Sequence, residues 1–249
     1  MWDFDLKTTC LLAALALVYW RGWLRGKGRG EELAVFLAGL LTVFIALDSP
    51  LDTFDDLYLW VHMTQHILLM TAAPLLIILG RPWPLLLRGL PRRLVRAIAP
   101  VLAWPRLTNP GATWLLFASS FIVWHLPAFY QFALQSAFWH DVQHACFFWS
   151  GILFWHTIFL RPRWLMVPYL LFADILNTVF SAYLIFSGHL LYPVYSRVRA
   201  AGMAPMNDQI LAGAIMWVPG SMFFLVPAFA IAFRLLGKPA RHSTAFGVI

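Results

Sequence analysis

Charge is scarce in this chain. Asp, Glu, Lys and Arg together make up 12% of its 249 residues, hydrophobic residues make up 61%, and the mean hydropathy is +0.73. A soluble domain of this length needs a charged surface, so the shortage excludes one. The apolar residues come in blocks that approach the ~20 residues needed to cross a bilayer. Cysteine is scarce too. Cys10 and Cys146 show no CxxC spacing, which removes a thiolate zinc site and a thioredoxin-like redox pair. No glutamate lies in the apolar blocks, so the bridging carboxylates of a di-iron membrane oxygenase are short. Repeats, low-complexity tracts and phosphate-cradling glycine loops are missing as well.

What is present reads as an all-α, polytopic membrane helix bundle of about seven transmembrane helices, forming one transmembrane helical domain over 1–249. Spans are expected near 8–24, 33–48, 57–80, 111–127, 139–160, 165–187 and 208–233. Asp3 and Asp5 precede the first apolar run while Arg21, Arg25, Lys27 and Arg29 follow it. That order is the reverse of a cleavable signal's, so the first span is expected to be kept with the N-terminus outside. Alternating from there, only Lys7, Arg197 and Arg199 of the 18 Lys and Arg residues fall on the outer side. This asymmetry orients the chain with its C-terminus cytoplasmic, as expected for a multi-pass protein of a bacterial inner (plasma) membrane. The formal charge of +7 is therefore read as orientation and contact with membrane lipids, and no nucleic-acid partner is expected. The inner stretch 81–110, rich in proline and carrying Arg92, Arg93 and Arg96 beside Leu94, Val95 and Ile98, reads as a short interfacial helix.

Five of the eight histidines fall in three motifs: His62-Met63-Thr64-Gln65-His66, Trp124-His125-Leu126-Pro127 and His140-Asp141-Val142-Gln143-His144. Residues four apart share a helix face, so His62 pairs with His66 and His140 with His144. Both pairs lie in the first turns of spans that enter from outside. His125 comes up at the same level near the end of a span that runs outward, where Pro127 would end the helix and turn the ring. Imidazoles are costly to strand near lipid and are the commonest metal ligands. Any one of the five could simply bond to water or a backbone carbonyl, but five in register point to a metal.

Imidazole suits copper, zinc and iron, and methionine thioethers tilt the choice toward Cu(I). Met63, Met70, Met203 and Met206 are near enough in the expected topology to be supporting evidence, although methionine in a span is usually packing. The metal expected is copper, held by His62, His66, His125, His140 and His144. Asp141 or Asp208 would supply a carboxylate, as a ligand or as acceptor for an imidazole N–H; for Asp208, capping of the last span is an equal reading. His156 shares the stripe of His140 and His144 but lies roughly 18 Å below His144 at 1.5 Å per residue, near the inner face. The tryptophans Trp60, Trp124, Trp139, Trp149 and Trp155 read mostly as an interfacial aromatic belt. Ser150 and Gly151 are expected to let helices approach closely. Asp174 and Asn177 share a mid-span face, for which a structural role is favoured over proton transfer.

Four segments carry a resemblance: Gln65-His66 leading to Pro74-Leu75-Leu76 and Gly80-Arg81-Pro82; Trp124-His125-Leu126-Pro127-Ala128-Phe129-Tyr130; His140 to His144 followed by Phe147 and Gly151; and Asp208-Gln209 leading to Gly213 and Met216-Trp217. In their order and spacing, over about residues 57–220, the chain resembles the multi-span CtaG family of cytochrome c oxidase assembly proteins. The resemblance implies a non-enzymatic assembly factor that supplies copper to a haem-copper oxidase. It places the ligand role on the five histidines, and less firmly on Asp208. Oxidase subunits and an extracytoplasmic copper donor are the implied partners, with a homo-oligomer left open. The alternative is a haem-binding membrane redox protein using His66 and His144 from two helices, which leaves three histidines without a purpose. An ion or proton transporter built on Asp174 would leave the whole cluster unexplained.

Overall fold

The computed structural model describes residues 5–26, 28–102, 109–161 and 163–237. Asp3, Lys27, Arg106, Lys238 and Arg241, used above in the charge argument, lie outside the described residues. Within them the chain is helical throughout, with no strand. The helices are α1 (Leu6–Gly26), α2 (Gly30–Leu47), α3 (Pro50–Phe54), α4 (Leu59–Ile67), a π-helical turn (Leu68–Ala72), α5 (Ala73–Leu79), α6 (Pro82–Gly89), α7 (Arg92–Leu102), α8 (Pro110–His125), α9 (Pro127–Leu134), α10 (Ala137–Leu160), α11 (Arg163–Phe186), a 3₁₀ helix (Pro193–Ala201) and α12 (Pro205–Leu236).

Four stretches are long and apolar enough to cross a membrane: Gly30–Phe54, Leu59–Leu79, Arg163–Phe186 and Pro205–Leu236. The bent pair α8 and α9 is a fifth candidate. Helices α1 and α10 have the length, 21 and 24 residues, but their polar residues keep them below the same mark of apolarity. The chain is a membrane protein. The stretch Leu59–Leu79 is 78% buried inside the bundle, whereas the other three are 28–39% buried. It is therefore the central helix, and it carries His62 and His66.

Local chemistry sets the helix ends. Ser49 accepts a hydrogen bond from the Leu51 N–H and Pro50 opens α3; Asn109 accepts from the Ala112 N–H ahead of Pro110, which opens α8. Leu126 is extended, as a residue before proline should be, and α9 leaves α8 at 75°. At the far end of the first two helices, Asp48 after α2 accepts from the Asp5 N–H and the Thr9 hydroxyl at the start of α1. The pair is thus an antiparallel hairpin.

The stretch expected as one interfacial helix is two helices of different character. In α6, Leu85 and Gly89 are buried against α1. A side chain at Gly89 would collide with the Val18 carbonyl, and one at Gly22 with the Leu85 carbonyl, so both positions must stay bare. By contrast, α7 keeps Arg92, Arg93, Leu94 and Arg96 exposed, as an interfacial helix does.

Below the histidines the central helix departs from α geometry. A π turn covers Leu68–Ala72, and Pro74 follows in α5. Proline has no N–H, so the Met70 carbonyl four residues back loses its helical partner. The Trp155 indole N–H of α10 donates to that carbonyl at 3.3 Å. A Cβ at Gly151 would stand 2.6 Å from the same oxygen. Trp155 is fully buried here. It does not belong to an aromatic belt as expected, because the carbonyl freed by Pro74 needs a buried donor. Trp149, by contrast, is exposed. Gly151 and Trp155 share the helix face of His140 and His144, so this contact sets the height at which α10 presents its imidazoles to α4.

Candidate metal centre

The i,i+4 spacing does what helix geometry requires. The rings of His62 and His66 on α4 lie 4.4 Å apart between centroids, and those of His140 and His144 on α10 lie 4.2 Å apart. Between the helices, His62 is 5.1 Å from His140 and 5.9 Å from His144. His66 is 5.9 Å from His144 and 5.1 Å from His125. All five imidazoles form one patch where α4, α10 and the end of α8 meet.

The ends of the chain's other segments close over it. Tyr192 donates to the His125 carbonyl at 2.6 Å. Tyr130 of α9 and Tyr195 of the 3₁₀ helix share a 2.9 Å hydrogen bond, and their rings stand 5.1 and 6.4 Å from His62. Arg197 donates to the Asp56 carbonyl at 3.3 Å and ties the 3₁₀ helix to the α3–α4 turn. His62, His66, His125 and His144 are all buried, while the His140 side chain keeps 20% of its surface. The patch is more enclosed than its expected shallow position suggested, and His140 is its partly exposed edge.

Buried polar atoms in folded proteins almost always have partners. Here the Nε2 atoms of His66, His140 and His144, both ring nitrogens of His62 and Oδ2 of Asp55 have no hydrogen-bond partner. Six orphaned donor atoms in one patch fit a cation, whose coordination would supply what the protein does not. His125 lies beside this set. Its Nδ1 donates to the Phe121 carbonyl at 2.7 Å, which fixes the tautomer and leaves Nε2 unprotonated. That Nε2 stands 3.2 Å from Nδ1 of His66, close to the roughly 3.3 Å between two nitrogens sharing a tetrahedral ion at about 2.0–2.1 Å. A hydrogen bond between the rings suits the same distance. Two sets of donor atoms are each gathered within 4.8 Å: His62, His66 and His144, and Asp55, His62 and His140.

Asp55 is the residue that sequence reasoning missed. Its Oδ2 stands 3.8 Å from both His62 Nδ1 and His140 Nε2. Burial, followed by the charges of Asp52 and Asp56, pushes its carboxyl up to about 8, so a nearby cation would relieve it. The signal was the acidic run Asp52–Asp56 just before the His62 helix, which reads from sequence as a solvated outer loop. Gln65 and Gln143, one on each histidine helix, are also buried and donate to the Ala46 and Trp124 carbonyls.

The carboxylates named from sequence lie elsewhere. Asp141 is exposed. Asp208 accepts from the Leu59 and Trp60 N–H groups at 2.8 and 3.1 Å, capping the helix that carries His62 and His66. His156 meets Trp83 near the other end of α10. Asn177 donates to the Met216 carbonyl of α12, a structural bond. The cavity bordering His66, with Met70, Thr71 and Asn177 in its wall, is about 20 Å³, room for one water. That cavity is far too small to hold a porphyrin beside His66.

Comparison with known proteins covers most of the chain. The family model for the cytochrome c oxidase caa3 assembly factor, Caa3_CtaG, matches residues 17–238. An uncharacterized protein of Mycobacterium leprae is 26% identical over 268 residues, covering 97% of this chain and 40% of its own length. An uncharacterized protein of Mycobacterium bovis is 27% identical over 243 residues, covering 87% of this chain and 36% of its own length. The chain thus spans about two fifths of the length of these curated relatives. No solved structure matches it.

Proposed function

The chain belongs to the cytochrome c oxidase caa3 assembly factor family, and from that premise we propose that it binds copper in the histidine patch and hands it to a haem-copper oxidase. The observation that carries this reading is the set of buried imidazole nitrogens without partners. Copper is the cargo, not a resident cofactor, and the protein performs no turnover of its own. The chain's contribution is to hold five rings close together in a buried patch, with the tautomer of His125 set by the Phe121 carbonyl, and to exclude competing water. The tyrosine cover from the 188–207 connection keeps the patch closed until a partner engages it.

In the proposed orientation α1 and α10 also span, giving seven, with the N-terminus outside and the C-terminus in the cytoplasm of a bacterial inner membrane. The outer end of the bundle then holds the patch and its acidic rim. That is the side from which an extracytoplasmic donor would load it and from which an oxidase subunit would be supplied.

The test is metal content of the purified full chain after copper loading and desalting. Wild type is expected to retain copper, and His66→Ala, His125→Ala and His144→Ala to lose affinity by more than the roughly 10–100-fold typical of removing a mere supporting group. His156→Ala should retain it. If wild type holds no more copper than a variant lacking all five histidines, the reading fails.

A further inference from the structure

The six donor residues fall into two overlapping groups: Asp55 and the partly exposed His140 gather with His62, buried His66 and His144 gather with the same His62, and His125 stands beside His66. Donors around a single ion with metal–nitrogen bonds of about 2.0–2.1 Å stand at most about 4.2 Å from one another. Each of the two sets approaches that limit, and a small inward movement of the side chains would meet it. His62 belongs to both sets. It is fully buried, and neither of its ring nitrogens has a hydrogen-bond partner. A ring serving one ion commonly gives its second nitrogen to a protein acceptor, as His125 does with Phe121. Neither nitrogen of His62 has a protein partner within hydrogen-bond distance, and the group facing its Nδ1 is the Asp55 carboxylate, 3.8 Å away.

We propose that the patch holds two cation positions that share His62: an outer one formed by Asp55, His62 and His140, and an inner one formed by His62, His66 and His144, with the His62 ring bridging them as an imidazolate whose N–H proton is released to solvent when both positions fill. The inference rests on the reading that the patch binds metal, and adds that Asp55 is a ligand of a separate outer position. The chemistry of the two positions differs. The outer one includes a carboxylate and favours a divalent ion, whereas the inner one is all imidazole and accepts softer ions as well. His140, the only one of the set with appreciable exposure, makes the outer position the way in. Asp55 is buried at 4% exposure, so it serves an ion there and not the solvent.

The test titrates the detergent-solubilised full chain with Cu(II), and with Zn(II) as a redox-silent probe, and counts bound ions by elemental analysis after equilibrium dialysis. Wild type should take up two ions per chain. Asp55→Asn, which keeps size and shape, should take up one, and His140→Ala should do the same. His66→Ala should also drop to one, but through loss of the inner position. The electron paramagnetic resonance of the Cu(II)-loaded chain separates these cases: wild type should show coupled ions, while Asp55→Asn and His66→Ala should each show a single uncoupled ion with different nitrogen splittings. Asp141→Asn, on the exposed side of the same helix, should behave as wild type. One ion in wild type, unchanged by Asp55→Asn, overturns the two-position proposal and leaves copper binding intact. No ion in wild type overturns both. Helical content by circular dichroism shows that each variant is folded.

Discussion

At the scale of single residues, the question is which polar groups would serve the proposed metal and which serve the chain. Asp208 illustrates the difference. Its two oxygens accept from consecutive N–H groups at the start of α4, where a helix has four unpaired donors. Loss of such a cap costs about 0.5–2 kcal/mol, and the buried N–H groups left behind add to that. Asp208→Ala should therefore lower the thermal midpoint of the solubilised protein, while Asp208→Asn, which retains an acceptor, should lower it less. In both, the number of bound copper ions should equal wild type once the protein is folded. An Asp208→Asn variant that is fully stable but short of metal would return Asp208 to the ligand set. The five histidines could be read from spacing alone, because i,i+4 on a helix and Pro127 after His125 fix which way each ring turns. Asp55 could not. Whether a loop aspartate faces water or folds under the loop depends on how α3 turns back toward α4, and no local pattern encodes that turn.

At the scale of elements, the helix ends expected from apolar blocks agree with the structure to within a few residues, since cost in lipid marks them directly. Three elements were not legible. The small helices α3 and α9 open on local signals, Ser49-Pro50 and Leu126-Pro127, but are too short to stand out from the apolar blocks beside them, and the π turn is matched by a contact with a segment distant in sequence. The π turn matters most for the site. It lies directly below His66, and the carbonyl freed by Pro74 is held by Trp155 across the interface where Gly151 permits contact. Ridges and gaps of this sort set helix register in membranes, where small residues allow backbones to approach. Gly151→Val places two methyl groups where a Cβ alone would already stand 2.6 Å from the Met70 oxygen. Overpacking of this kind costs about 1–3 kcal/mol, and α10 must slide or tilt to relieve it. The expected result is weaker copper binding with every ligand still present, and a smaller loss for Gly151→Ala. A Gly151→Val protein that is as stable as wild type and binds copper equally well would show that this contact does not set the site.

At the scale of the whole molecule, what the fold achieves is convergence. The start of α1, the ends of α2, α8 and α11, and the starts of α4, α10 and α12 are tied at one end by Asp48, Asp55, Tyr192, Gln209 and Asp208. That end carries the whole donor set, the closing tyrosines and the acidic turn; the opposite end carries Arg25, Arg29, Arg81 and Arg88. A bundle polarised in this way suits transfer at one membrane face only. If the histidine end is outside, a cysteine at Thr53 should react with a membrane-impermeant maleimide in intact cells, in a background free of Cys10 and Cys146, and a cysteine at Arg92 should not. The assembly role itself then has a definite signature. A cell lacking the protein should contain the oxidase polypeptides in near-normal amount but with little copper and little activity, most clearly when copper is limiting. Replacing the five histidines by alanine should reproduce that state while the protein remains in the membrane at wild-type abundance. A catalytic or haem-carrying role predicts something else, because copper in the oxidase would then be unaffected. Normal oxidase copper and activity in the deletion strain, with copper held limiting, would remove the supply role and leave the buried imidazoles to a metal used by the protein itself.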